Sequence, residues 1–144
     1  MAHYRASIVT SRPLQEVFTY LSDFSTTAEW DPSVIEAERV GDAPVGEGTE
    51  FRLLTEFLGR KAELTYRIVE HDPPNAVTFR GENASVISLD RITFEPREAQ
   101  TLITYDAQLT LKGPFKLADP LLALAFRRVG DRALAGLRGT VGTP

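Results

Sequence analysis

The chain has 144 residues, which suits one domain built on one core. Its 42% hydrophobic and 25% charged content is ordinary for a globular protein and argues against disorder. A net charge of −4 opposes binding to nucleic acid, and the lack of cysteine removes disulfides and thiolate chemistry. His3 and His71 are the only histidines, too few for a multi-histidine metal site, and nothing points to a carboxylate-only one. No metal or cofactor is therefore expected.

The N-terminus, MAHYRASIV, has neither a long apolar run nor the shape of a signal peptide. The most apolar window, Leu117 to Phe126, has half the ~20 residues needed to cross a bilayer. These features predict a cytoplasmic protein without stable membrane insertion. Monomer and homodimer are both open.

In chain order, His3 to Val9 reads as a strand. Ser11-Arg12-Pro13 then offers a helix start, with serine as cap and proline in the first turn. Leu14, Val17, Phe18 and Leu21 follow on one helical face. Asp23 to Trp30 predicts a second short helix, ended by Asp31 because a residue before proline is biased to extended geometry. Trp30, the only tryptophan, is read first as a plug between helices and sheet, and second as a wall of a ligand pocket. Asp31 is read as a turn or cap residue.

From Val34 the apolar period changes to two. Val34 to Val40 predicts a strand. The loop Gly41 to Gly48 lacks the Lys-Ser/Thr of a phosphate-binding loop. Gly59-Arg60 separates two alternating runs and suits a two-residue hairpin turn. That turn would pair Phe57/Ala62, Thr55/Leu64, Leu53/Tyr66 and Phe51/Ile68 on an apolar face. The polar face would carry Leu58/Lys61, Glu56/Glu63, Leu54/Thr65 and Arg52/Arg67, two of them unfavourable like-charge pairs.

Asp72-Pro73-Pro74-Asn75 is a turn. Val77, Phe79 and Gly81 then alternate inward. Gln100 to Lys112 alternates with Ile103, Tyr105, Ala107, Leu109 and Leu111 on one side, and Gly113-Pro114 ends it. Asp119-Pro120 predicts the start of a last helix, with aspartate as cap and proline at the first helical position. Leu122, Phe126, Val129, Ala133 and Leu137 form its apolar stripe. The order predicts an α+β layer design, one curved antiparallel sheet with its concave face on a long helix.

Ala84 to Pro96 conflicts with itself. Ile87 and Leu89 have one parity, Ile92 and Phe94 the other. Either a bulge near Asp90-Arg91 turns Asp90 to solvent, or Asp90 points inward with Val86, Ser88, Ile92 and Phe94. Pairing Ile92 with Ile103 would set Asp90 opposite Tyr105, a carboxyl beside a phenol on the concave face. A buried carboxyl must be paired, hydrogen-bonded or protonated.

Several stretches together resemble a known family. TSRPLQEVFTYLSDFSTTAEWDPSV is similar to the helix pair and W-D-P-x-V exit of the polyketide cyclase/dehydrase and lipid-transport family. This family lies within the START and birch-pollen-allergen-like (SRPBCC) superfamily. VGEGTEFRLLTEFLGRKAELTYRIVEHDPPNAVTFRGE resembles its glycine loop, long hairpin and D-P-P turn. TFEPREAQTLITYDAQLTLKGPFKLADPLLALAFRRV resembles its last strand pair and C-terminal helix.

The resemblance covers nearly the whole chain. It implies a helix-grip fold over residues 1–140, with 141–144 as a tail. In that fold a seven-stranded antiparallel sheet wraps around the last helix and encloses a hydrophobic cavity. It also implies small hydrophobic or aromatic ligands of polyketide or lipid type. It does not imply one reaction, because one fold serves many functions.

Three functions are therefore carried forward. The first is a ligand binder or carrier whose cavity is lined by Trp30, Phe51, Leu53, Phe57, Tyr66, Phe79, Ser88, Asp90, Tyr105, Leu122, Phe126 and Val129. The second is a cofactor-independent cyclase or dehydratase using Asp90 and Tyr105 as acid/base or carbonyl-polarising groups. The third is a regulatory module without a ligand, which requires an exposed apolar patch. Neither histidine is expected to be catalytic.

Overall fold

A computed structural model describes residues 1–57, 59–113 and 119–142, the side chains of 119–122 excepted. Seven strands form one antiparallel sheet in the order β1-β7-β6-β5-β4-β3-β2. They are β1 (Ala2–Thr10), β2 (Val34–Val40), β3 (Glu50–Phe57), β4 (Arg60–Asp72), β5 (Ala76–Glu82), β6 (Val86–Arg97) and β7 (Gln100–Leu111). From β2 to β7 the chain meanders, and β1 closes on the far side of β7. The link between the two edge strands holds α1 (Leu14–Ser22), a 3-10 turn (Phe24–Thr26) and α2 (Thr27–Trp30). The long helix α3 (Asp119–Val141) packs on β1 and touches α2. This is the curved sheet gripping a C-terminal helix that the alternation predicts.

The α1 helix buries Val17, Phe18 and Leu21, the apolar face read from the sequence. Its start differs. Pro13, not Ser11, is the N-cap, and no side chain caps the helix. The Pro13 carbonyl accepts from the Val17 N–H, and the fixed proline φ of −58° already suits the helix entrance. The second helix divides into the 3-10 turn and α2, and Asp23 caps the turn, its Oδ1 accepting from the Ser25 N–H at 3.1 Å and from the Ser25 hydroxyl at 2.5 Å. Asp23→Ala is expected to cost about 1 kcal/mol, as for other N-cap losses, read as a lower urea midpoint at unchanged m.

The hairpin register corrects the sequence reading by two residues. Phe57 pairs with Arg60 and Gly59 stands at φ +75°, while Leu58 of the predicted Leu58/Lys61 pair lies outside the described residues. Glycine takes such a conformation without a Cβ penalty. The pairs become Phe51–Tyr66, Leu53–Leu64 and Thr55–Ala62. A shift of two leaves every side chain on its face, because the strand period is two. It also removes both like-charge pairs, since Glu56 now faces Lys61 and Glu50 faces Arg67.

The β6 strand pairs with β7 without interruption from Val86 to Arg97, so the bulge considered near Asp90 is absent there. The register shifts lie instead in β2, between Val34 and Glu36, and in β4, between Ile68 and Glu70. Leu89 reaches the outer face, and Ser88, Asp90, Ile92 and Phe94 turn inward and are buried.

Candidate functional site

The interior is graded. Phe51, Ile68, Val77, Phe79, Ile92 and Ile103 are fully enclosed, at 0% exposure. Phe24, from the 3-10 turn, stacks on Phe79 with ring centroids 3.9 Å apart and meets Tyr66 edge-on at 5.1 Å. Toward the β3–β4 hairpin the side chains are less fully enclosed. Leu64, Tyr66, Asp90, Tyr105, Ala107 and Ala133 keep 6–8% exposure. Phe57, Ala62, Val86, Leu109, Phe126 and Val129 are half-buried. A polar group lies at the boundary between the two regions.

Its centre is Asp90. The Tyr105 hydroxyl donates to Asp90 Oδ2 at 2.5 Å, and the Ser88 hydroxyl donates to Oδ1 at 2.7 Å. The sequence reading sets Asp90 opposite Tyr105. The observed register pairs Asp90 with Ala107 and Tyr105 with Ile92. The phenol therefore reaches the carboxyl diagonally across the strands, a span that a long aromatic side chain covers. Ser88 lies two residues along the same strand face.

Burial pushes the Asp90 carboxyl up to about 6, against the opposing pull of Tyr105 and Ser88. Burial also raises the Tyr66 phenol, and the Asp90 charge raises it further. The same two causes hold Tyr105 well above the usual phenol range. Tyr66 has room because Gly81 is its cross-strand partner: a Cβ at Gly81 would stand 2.5 Å from the ring.

Trp30 joins the group from the helical side. It is buried, and its ring meets Tyr105 edge-on at 6.0 Å. Its carbonyl oxygen abuts Gly136 of α3. It is thus a plug between helices and sheet and also a neighbour of the acid–phenol pair. Its indole N–H is buried without an acceptor among the described residues.

Asp31 reads in the sequence only as a turn residue, and it does make that turn. Its Oδ1 accepts from the N–H of Ser33 at 2.9 Å and from the hydroxyl at 2.8 Å. Its carboxyl is nevertheless close enough to act electrostatically on Asp90, Tyr66 and Tyr105. Burial raises its own titration, and the Ser33 bonds oppose the rise. The chain distance between Asp31 and Asp90 hides this second carboxyl; only closure of the sheet brings the two together.

The other predicted lining residues divide by depth. Phe51, Leu53 and Phe79 sit in the packed core beneath the polar group. The side chain of Leu122 and the predicted cap at Asp119 lie outside the described residues. His3 meets Asp106 at 2.9 Å and is exposed, and His71 packs on Phe18. Among the described residues, no cluster of three or more acidic, histidine or cysteine side chains could hold a metal. No helix among them is long and apolar enough to cross a membrane.

Solved structures share this fold. A START superfamily protein from Mycobacterium smegmatis superposes with a TM-score of 0.82 at 14% identity, covering 98% of this chain and 97% of that one. The ZhuI aromatase/cyclase from Streptomyces sp. R1128 gives 0.78 at 17% identity, covering 96% and 92%. The protein TTHA0849 from Thermus thermophilus gives 0.79 at 19% identity, covering 95% and 94%. A search of curated protein sequences finds no match. The polyketide cyclase/dehydrase and lipid transport profile matches residues 1–142, and the chain belongs to that family.

Proposed function

We propose that the protein binds a small hydrophobic or aromatic molecule, of polyketide or lipid type, in the less enclosed end of the concave interior. Asp90, Ser88, Tyr105 and Tyr66 form the polar floor, and Trp30, Phe57, Phe126 and Val129 contribute to the walls. The observation that carries this reading is the buried carboxyl–phenol pair at the edge of an otherwise apolar core. A few polar groups converging in an apolar pocket are what fixes a ligand's orientation. Native mass spectrometry of the purified protein tests it. The expected spectrum carries an added small-molecule mass that is released on denaturation. No added mass, together with no response of Trp30 fluorescence to hydrophobic probes, removes the reading.

A cyclase or dehydratase activity is the second reading, favoured by one observation. A carboxyl held near 6 can both accept and return a proton close to neutral pH. The ZhuI aromatase/cyclase and the di-domain aromatase/cyclase BexL share the fold, which supports this reading by likeness alone. With a turned-over substrate, Asp90→Asn is expected to lower kcat by ~100-fold or more, the usual size of a general acid–base contribution. Turnover at the wild-type rate would exclude Asp90 as the acid or base. The regulatory reading has no observation in its favour among the described residues, whose exposed large hydrophobics in secondary structure are Ile35, Val40, Val69, Leu89 and Leu124.

A further inference from the structure

We infer that the inner end of the bound molecule is a hydrogen-bond donor without negative charge, a hydroxyl or an ammonium group, and that the site discriminates against carboxylates. This rests on the ligand site proposed above and names the chemistry it takes.

The first argument is the sign of the charge at the floor. Asp90 is buried there, and Asp31 and Asp106 lie close enough to act on it as like charges. No cation is bonded to Asp90 among the described residues; its partners are two hydroxyls. The ion pairs of the sheet are formed by exposed or half-exposed side chains, including Arg91–Glu70, Arg80–Glu82, Arg52–Glu38 and Lys112–Glu82. Arg39 is half-buried, pairs with Phe51 on the edge strand β2, and is not among the groups that act on Asp90. A carboxylate entering this region would add a further negative charge where water screens poorly.

The second argument is hydrogen-bond capacity. Tyr105 and Ser88 each supply one proton to Asp90, one to each oxygen. A carboxylate oxygen has two acceptor sites, so each can take a further donor. The buried indole N–H of Trp30, on the ring that meets Tyr105 edge-on, lacks an acceptor among the described residues. A hydroxyl group can donate to Asp90 and keeps an oxygen that can itself accept. An ammonium group gains instead from the rings of Trp30, Tyr66 and Tyr105.

Three probes with one body test the inference: 4-phenylbutanol, 4-phenylbutylamine and 4-phenylbutyrate. Trp30 is the only tryptophan, so its fluorescence reports each titration. At pH 8 the alcohol and the amine are expected to bind about tenfold or more tighter than the carboxylate. At pH 5.5, where Asp90 is mostly protonated and most of the phenylbutyrate is still ionised, the preference should shrink. Asp90→Asn should bring the three within about threefold at pH 8. A carboxylate that binds as tightly as the alcohol, or a preference unchanged by both pH and Asp90→Asn, overturns the inference and leaves the ligand site standing. Failure of all three probes to bind counts against the ligand site itself, and the inference falls with it.

Discussion

Gly136→Ala is expected to lower the unfolding free energy by ~3 kcal/mol, at the upper end of what overpacking a tight interior costs. A Cβ on Gly136 would stand 1.8 Å from the carbonyl oxygen of Trp30. That oxygen belongs to the backbone at the end of α2 and cannot swing aside as a side-chain tip can. Relief requires α3 to move away from α2, which disturbs the buried contacts of Leu134, Leu137 and Val141. The Trp30 ring would shift with it, so near-ultraviolet circular dichroism should change as the urea midpoint falls. Gly139→Ala is the matched control. Nothing stands within 4 Å of its added Cβ, and alanine is the better helix former by ~1 kcal/mol. The two substitutions, three residues apart on one helix, are therefore expected to act in opposite directions. Equal effects would show that Gly136 is not a docking notch.

The second large effect concerns pH. Asp90 titrates at about 6 in the folded protein, against an ordinary value of 3.8. The folded state therefore holds this proton more tightly than the unfolded chain does. The contribution is fully present below about pH 4 and is lost as pH rises through about 6. By neutral pH the loss amounts to about 3 kcal/mol, from 1.36 kcal/mol for each tenfold change in proton affinity. Asp90→Asn removes this titration. Its stability relative to the wild type is expected to rise by about 2 kcal/mol between pH 4 and pH 7, the remainder of the ~3 kcal/mol lying below pH 4. Poorer hydrogen bonding to Tyr105 and Ser88 subtracts about 1 kcal/mol throughout. Urea unfolding at pH 4, 5.5 and 7 measures the difference. The Asp31 carboxyl is also raised and remains in the variant, so a residual slope of the same sign is expected. Parallel profiles for the two proteins would show that the Asp90 carboxyl is not held in the apolar environment described.

The β-strands, the long final helix and the inward faces of β3, β4, β5 and β7 are legible in the sequence because they depend on local periodicity, whereas β6 carries two conflicting parities. Phe51, Leu53, Tyr66 and Ile68 share a parity, and no folding partner is needed to see it. Asp90 is legible as an anomaly, a carboxyl with inward parity among Ser88, Ile92 and Phe94. The like charges at Glu56/Glu63 and Arg52/Arg67 argue against the register that the Gly59-Arg60 turn implies, and the observed pairing removes them.

Only the tertiary structure decided the rest. Whether Asp90 meets Tyr105 directly or diagonally depends on a register shared along two whole strands, which the turn chemistry at one end does not determine. The second carboxyl, Asp31, reaches the site through closure of the sheet around the helices, far beyond the range of any local pattern. Glycine inside a helix is unfavourable on propensity alone, and nothing local explains Gly130 and Gly136 in α3. In the fold a Cβ at one would strike the ring of Tyr4, and at the other the carbonyl of Trp30. A missing side chain acquires meaning only from the atom packed against it, and that atom belongs to another part of the chain.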